Sequence, residues 1–199
     1  MARTATRTAT RTRTTRETDI AVTLDLDGTG VCRVATGIGF LDHMLELFAR
    51  HALIDLEVKA KGDIHVDYHH TVEDLGLVLG ACINEALGER RGITRYASIK
   101  LPMDEALYDV ALDLGGRPFL VFSSGMKHLR AGDFEIKLVE EFFRALTTEA
   151  RMNLHLIQIS GDEPHHICEA IFKGFARALR AAVAPDPRET GVPSSKGTI

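Results

Sequence analysis

The chain has 199 residues, 45% of them hydrophobic and 26% charged, a composition suited to a globular protein of one or two domains. Its formal net charge of -4 gives no electrostatic case for nucleic acid as the main partner. No stretch approaches the roughly 18 apolar residues that would span a membrane. The three cysteines (Cys32, Cys82, Cys168) show no CxxC spacing, which argues against a disulfide framework and for a reducing compartment, the cytoplasm.

Residues 1–16 are almost wholly Arg, Thr and Ala, with no acidic residue and no large apolar side chain. Such a segment buries too little surface to fold, and a disordered tail is the expectation. An organelle transit peptide or an anion-binding arm would fit the same composition. From Ile20 to Val34 apolar residues alternate on either side of Asp27-Gly28-Thr29-Gly30, the pattern of a β-hairpin with one buried face. After Gly37-Ile38-Gly39, the residues Leu41, Met44, Leu45 and Phe48 recur at i, i+3, i+4, i+7, predicting an amphipathic helix with His43 outside its apolar stripe. Ile54, Leu56 and Val58 predict a strand. Gly62-Asp63 then leads through His65 to a helix from His69 to about Leu87, and Gly88 to Gly92 closes the segment.

The same order then repeats. Val110 to Gly116 mirrors Val22 to Gly28, each a strand running into a glycine turn. Leu138 to Leu146 is a second amphipathic helix, Leu154, Leu156 and Ile157 a strand, and Gly161-Asp162 repeats Gly62-Asp63. The chain therefore reads as an internal duplication, with halves at 17–92 and 93–199 making one compact unit. Each half places a sheet against helices, which is an α+β two-layer architecture.

Both halves carry one string: His69-His70-Thr71-Val72-Glu73 in the first and His165-His166-Ile167-Cys168-Glu169 in the second. Imidazole is the commonest side-chain ligand of transition metals, and a carboxylate one helical turn away adds a second donor. Adjacent histidines on a helix point about 100° apart, so each pair suits two metal sites better than one. The glutamate is expected to join the histidine three residues before it. Laying the two preceding helices over one another sets Glu141 opposite His43. The candidate ligands are then His43, His69, His70, Glu73, Glu141, His165, His166 and Glu169. Eight donors make two sites of about four, leaving positions open for substrate as catalytic sites do. A set without thiolate suits manganese, zinc, iron or nickel.

Of the other histidines, His128 reads as a solvated loop residue, and His65 and His155, expected on strands, as supporting or packing groups. His51 either lines the site or caps its helix. Arg95, Arg117, Lys173 and Lys196 are scattered in sequence and would ordinarily be solvated charges. Lys173, though, lies four residues past Glu169, Arg117 follows a Gly-Gly turn, and Lys196 sits in a Ser-Ser-Lys-Gly loop able to cradle an anion.

Three long segments carry a family resemblance: Gly37 to Met44, His69 to Asp74, and His165 to Ala170 with Phe172-Lys173. With Pro193-Ser194-Ser195-Lys196-Gly197 they make the chain, from Glu17 to its end, resemble the imidazoleglycerol-phosphate dehydratase family in its monofunctional form. The resemblance implies a fold of the ribosomal protein S5 domain 2 type. It implies dehydration of imidazole glycerol phosphate to imidazole acetol phosphate in histidine biosynthesis. It further implies two manganese ions per active site and a 24-subunit shell with active sites between subunits. Seven candidate ligands carry over residue by residue: His43, His69, His70, Glu73, His165, His166 and Glu169. The eighth position, often histidine in the family, is Glu141 here, a departure in which a carboxylate would have to serve. Glu17 matches the family's acid/base glutamate beside the substrate, completing a catalytic set with His43 and Glu169. His51, Arg95, Arg117, Lys173, Ser195 and Lys196 fall on the substrate and phosphate side.

The chemistry gives the doubled site a motive, since an unactivated carbon–hydrogen bond loses its proton far too slowly in water. Metal bound at both ring nitrogens of the substrate would favour its imidazolate and drain charge from the ring. The ring could then expel the hydroxyl as a diazafulvene, with Glu17 handling the next proton. Two other classes share parts of the pattern. A dinuclear metallohydrolase of a phosphoester or peptide would normally place a carboxylate directly between its metals, and none stands out. A metal-storage or nucleic-acid-binding shell would use the Arg-rich tail.

Overall fold

The computed structural model describes residues 7–125 and 129–199. The first half comprises β1 (Thr8–Thr14), β2 (Thr18–Asp25), β3 (Cys32–Ala35), α1 (Gly39–Ala52), β4 (Asp55–Gly62) and α2 (His69–Leu87). The second comprises β5 (Tyr96–Met103), β6 (Ala106–Asp113), β7 (Phe119–Ser123), the short pair β8 (Arg130–Ala131) and β9 (Phe134–Glu135), α3 (Lys137–Ala150), β10 (Asn153–Ser160) and α4 (Pro164–Ala182). One sheet is ordered β1-β2-β4-β3 and the other β5-β6-β10-β7. In each, the last-named strand runs parallel to its neighbour and the other pairings are antiparallel. Apart from the β8–β9 pair, which the first half lacks, the two halves thus share one topology, strand for strand and helix for helix, as the repeated pattern implied.

Alternation explains how the sheets bury one face. Thr18, Ile20, Val22 and Leu24 of β2 point inward, as do Ala106, Tyr108, Val110 and Leu112 of β6. Helix α2 covers the first sheet and α4 the second. The remaining helices cross over, with α1 against α4 and α3 against α2. Close approach of α3 to α2 is permitted by Gly76 and Gly80. A Cβ there would come within 2.6 Å of the Phe142 carbonyl and 2.5 Å of the Leu146 carbonyl.

Aromatic rings fill the seam between the halves. Phe48 of α1 stacks on Phe175 of α4 at 5.5 Å, and Phe143 of α3 meets Phe175 at 5.2 Å and Phe172 at 5.1 Å. Truncating a fully buried ring removes its transfer free energy and leaves a cavity. Phe175→Ala should therefore cost about 3–5 kcal/mol, read as a shift in the denaturant midpoint with little change in slope. A loss below about 1 kcal/mol would show that the seam is not a single core.

Two expectations are corrected. Residues 8–14 are not a disordered tail: they form β1, paired antiparallel to β2 from Thr8↔Asp25 to Thr14↔Asp19. Ladder hydrogen bonds need no apolar side chains, and threonine favours the extended chain. The alternate residues Arg7, Ala9, Arg11 and Arg13 share one face. Ala9 is buried, Arg11 pairs with Glu85 and Arg13 with Asp74 of α2, and Arg7 pairs with Asp27. The arginines thus end on carboxylates, two of them on α2 and one in the turn after β2. Residues 1–6 lie outside the described residues.

The span from Ile20 to Val34 is also not a hairpin, because β4 lies between β2 and β3. The Asp27–Gly30 turn passes the start of β4, where one oxygen of Asp55 accepts the N–H groups of Thr29 (2.7 Å), Gly30 (3.0 Å) and Val31 (2.9 Å). Those donors, that of Thr29 foremost, hold the Asp55 carboxyl below its usual range. A depressed folded-state value means the stabilisation is complete above the unfolded pKa of about 4 and is lost as acid protonates the folded group. Asp55→Ala should cost about 1 kcal/mol at neutral pH, after allowance for solvent screening. The difference from wild type should shrink towards pH 3 in parallel denaturation curves, and a constant difference would contradict this assignment.

Strand β5 escaped the sequence pattern because it is an edge strand with Leu101 as its single buried residue, and it contains Pro102.

Candidate metal and substrate site

Helix α1 starts at Gly39, the last residue of the Gly37-Ile38-Gly39 break, so His43 lies one turn inside its N-terminus. Helix α4 begins with Pro164 at its first turn and is capped by Glu163, whose carboxylate accepts the His166 backbone N–H at 2.8 Å. Because α1 packs on α4, His43 meets His165 and Glu169 across the two halves. One ligand atom from each lies within 4.8 Å of the others. The nitrogens Nε2 of His43 and His165 stand 3.1 Å and 3.5 Å from Oε1 of Glu169. Its other oxygen takes a hydrogen bond from Lys173 Nζ at 2.8 Å. Glu169 is only 7% exposed. Burial pushes its carboxyl up, but the hydrogen bonds from Lys173 and His43 outweigh this and hold it below the usual range.

The matching face of α2 presents His69, with Nε2 3.3 Å from Glu73 Oε2. In both motifs the glutamate therefore joins the histidine four residues before it, not three as the spacing had suggested. Four residues on an α-helix advance about 400°, closer to a full turn and more nearly overhead at the reach of these side chains than three. The second histidine of each motif points elsewhere. Ring planes within the pairs are nearly perpendicular, 86° for His69 and His70 and 81° for His165 and His166. His70 Nδ1 lies 3.0 Å from Asp63 and 3.9 Å from Glu17. His166 Nδ1 lies 2.8 Å from Glu105, and its Nε2 is 3.7 Å from Asp104. Donating a hydrogen bond to Asp63 raises the His70 pKa, and donating to Glu105 raises that of His166.

Of the eight candidate ligands, one chain thus gathers His43, His165 and Glu169 into a group. His69 and Glu73 form a second pair on α2. Glu141 lies on α3, the helix that packs against α2, with its carboxylate 3.8 Å from Arg144. Next to the first group is a hollow of about 570 Å³ lined by Phe40, His43, Tyr68, Arg130, Phe134 and His165.

The anion-binding candidates collect at a different place. Arg95, Arg117, Ser195 and Lys196 line a separate hollow of about 820 Å³, together with Arg151 and Pro193. Arg95 is 8% exposed and braces this wall: its guanidinium donates to both oxygens of Asp113 (2.7 and 3.2 Å) and to the Pro193 carbonyl (2.6 Å). Lys173 is with the histidine group instead. His51 is part-buried nearby, and burial, followed by the charges of Lys173 and Arg177, lowers its pKa. His65 lies in the turn before α2 rather than on a strand, and His155 is an exposed residue of β10. His128 lies outside the described residues.

The sequence reading did not single out Asp63, Asp104 or Glu105. Asp63 stands in a turn that occurs twice, which was a usable signal. Glu105 sits in a tight turn far from either motif and could be found only in three dimensions.

A duplicated α+β scaffold whose central helices present imidazole and carboxylate in metal-ligating geometry defines the class. Comparisons narrow it. The model of the imidazoleglycerol-phosphate dehydratase family matches residues 36–179. Curated relatives named imidazoleglycerol-phosphate dehydratase include those of Methylorubrum extorquens, 56% identical over 93% of this chain and 95% of that protein, and Azorhizobium caulinodans, 58% identical over 93% and 94%. The crystal structure of the Staphylococcus aureus dehydratase superposes with a TM-score of 0.81 at 38% identity, covering 89% of this chain and 99% of that one. That from Pyrococcus furiosus gives 0.82 at 36% identity, covering 95% and 100%.

The chain belongs to the imidazoleglycerol-phosphate dehydratase family. It is an enzyme of histidine biosynthesis and a lyase. Among the described residues no helix is long and apolar enough to cross a membrane.

Proposed function

We propose that the enzyme removes water from D-erythro-imidazole glycerol phosphate, giving imidazole acetol phosphate, at a site built for two divalent metal ions, manganese by preference. The observation that carries this reading is the convergence of His43, His165 and Glu169 from opposite halves of the chain. Two imidazole nitrogens and a carboxylate oxygen, with no thiolate, are the donor chemistry of such an ion. The duplication suggests the second set: His69, Glu73 and Glu141 on α2 and α3 answer Glu169's group on α4 and α1. His70 and His166 turn away from their motif glutamates, towards Asp63 and Glu105, so they fit the role of ligands offered to a neighbouring copy. The family resemblance implies a homo-oligomer with shared sites, a 24-subunit shell, which we place in the cytoplasm. The separation of the histidine hollow from the Arg95–Lys196 hollow within one chain supports that arrangement, because one small substrate must reach both.

Bound metal would supply Lewis-acid polarisation of the substrate's imidazole ring. The chain's own groups do the rest. Arg95, Arg117, Ser195 and Lys196 would hold the phosphate, and Lys173 and His51 would approach the substrate from the α1–α4 side. Fixing the phosphate supplies orientation away from the reacting carbon. Glu17 stands exposed at the β1–β2 turn beside His70, and from there it would take and return a proton. Lys173 keeps Glu169 ionised, so that one of its oxygens stays directed at His43 and His165.

The test is product analysis after incubation with imidazole glycerol phosphate and manganese. Loss of one water from the substrate with no inorganic phosphate released is expected. Phosphate release without dehydration would replace this reading with a phosphoester hydrolase.

A further inference from the structure

We propose that Asp63 and Glu105 are positioning residues. Each accepts the Nδ1–H of the second histidine of one motif and so leaves that ring's Nε2 as a directed, unprotonated donor for a divalent cation. The proposal rests on the reading of His70 and His166 as metal ligands.

The geometry is the same in both halves although the carboxylates come from different places. Asp63 lies in the β4–α2 loop, with its two oxygens 3.0 and 3.3 Å from His70 Nδ1. Glu105 lies in the β5–β6 turn, 2.8 Å from His166 Nδ1. An ionised carboxylate can only accept, so the facing nitrogen must carry the proton, and a neutral imidazole has just one N–H. The tautomer of each ring is therefore set from outside its helix. Both anchors are themselves fixed. Glu105 Oε1 accepts the Glu163 N–H at 3.3 Å. The Asp63 N–H donates to the Glu17 carbonyl at 3.0 Å, and the Asp63 carbonyl accepts from Val66 at 2.8 Å. A ring held this way meets a metal ion with little rotational freedom left to lose, and such outer carboxylates are worth about 10–100-fold in metal affinity.

The duplication sharpens the assignment. The β1–β2 turn carries Glu17, and its counterpart, the β5–β6 turn, carries Asp104 and Glu105. In the second half this turn supplies the carboxylate that holds the ring. In the first half Asp63 does that work, and Glu17 stays 3.9 Å from Nδ1, released for proton transfer. Asp162, the counterpart of Asp63, is exposed, and His166 is held by Glu105 instead. One ancestral turn thus has two uses: Glu17 exchanges protons with substrate, and Glu105 orients a ligand.

Equilibrium manganese titration of the full-length chain tests this, using Asp63→Ala, Glu105→Ala, Asp63→Asn, Glu105→Gln and the control Asp162→Ala. Both alanine variants should weaken manganese binding about 10–100-fold. The amide variants should recover part of that loss, because an amide oxygen still accepts, and Asp162→Ala should bind as wild type does. Nitrogen NMR of the metal-free chain in alkaline buffer should show His70 and His166 as single Nδ1–H tautomers. In the amide variants, which can also donate, both tautomers should appear. Unchanged affinity and an unchanged tautomer in the Asp63 and Glu105 variants, with His70→Ala and His166→Ala losing manganese, would overturn the positioning role alone. Full manganese content in His70→Ala and His166→Ala would overturn the ligand reading beneath it.

Discussion

Glu169→Gln should lower turnover by more than about 100-fold, beyond what loss of an outer carboxylate partner ordinarily costs. The substitution keeps the shape of the side chain and removes its charge. One oxygen now faces two imidazole nitrogens at 3.1 and 3.5 Å, and the other faces the Lys173 ammonium at 2.8 Å. An amide can offer its oxygen to only one of these sides. If it stays with Lys173, its NH2 group turns towards His43 and His165 and expels a cation from between them. If it turns round, Lys173 keeps a positive charge, largely buried, beside an amide nitrogen. Either way the metal position weakens. Elemental analysis of the purified variant should therefore show metal lost along with activity, while circular dichroism stays native. A variant with full metal content and undiminished turnover would remove Glu169 from the site.

Glu17→Gln should do the opposite to metal and something similar to rate. Its side chain is exposed at the β1–β2 turn, and its nearest motif group, His70, is held by Asp63 at shorter range. Losing its charge should leave metal content as in wild type. The rate should fall about 10²–10⁴-fold, the usual contribution of a positioned proton-transfer group. The fall should lie in kcat more than in KM, because phosphate contacts are left intact. An undiminished kcat would mean that another group moves the proton.

Much of this was legible in the residues. The HHxxE strings and the 3.6-residue periodicity of Leu41 to Phe48 and Leu138 to Leu146 are local patterns, and the structure places helices on them. The repeated Gly-Asp pair lies at the strand-to-helix junction before each motif. What escaped was set by partners distant in sequence. Strand β1 has no apolar stripe to read; its arginines make sense only once Asp27, Asp74 and Glu85 are beside them. The supposed hairpin failed because Asp55, some 25 residues on, captures the turn and β4 takes the place that β3 was expected to fill. Within the site, the sequence named the ligand types but misjudged by one residue which histidine each glutamate meets. That choice depends on how side chains lean along a helix, which spacing alone does not specify. The Lys173–Glu169 contact was half visible, since the i, i+4 spacing was plain but its burial was not.

The central claim is that imidazoles and carboxylates from two fused halves jointly hold the ions on which dehydration depends. Its most direct test is the metal-to-chain ratio of the enzyme, followed together with turnover and native mass while a chelator is titrated in and manganese is restored. Two ions per chain are predicted at full activity, with activity and assembly falling as the ratio falls and returning with manganese. A metal-free preparation that still converts substrate at the full rate would contradict the account.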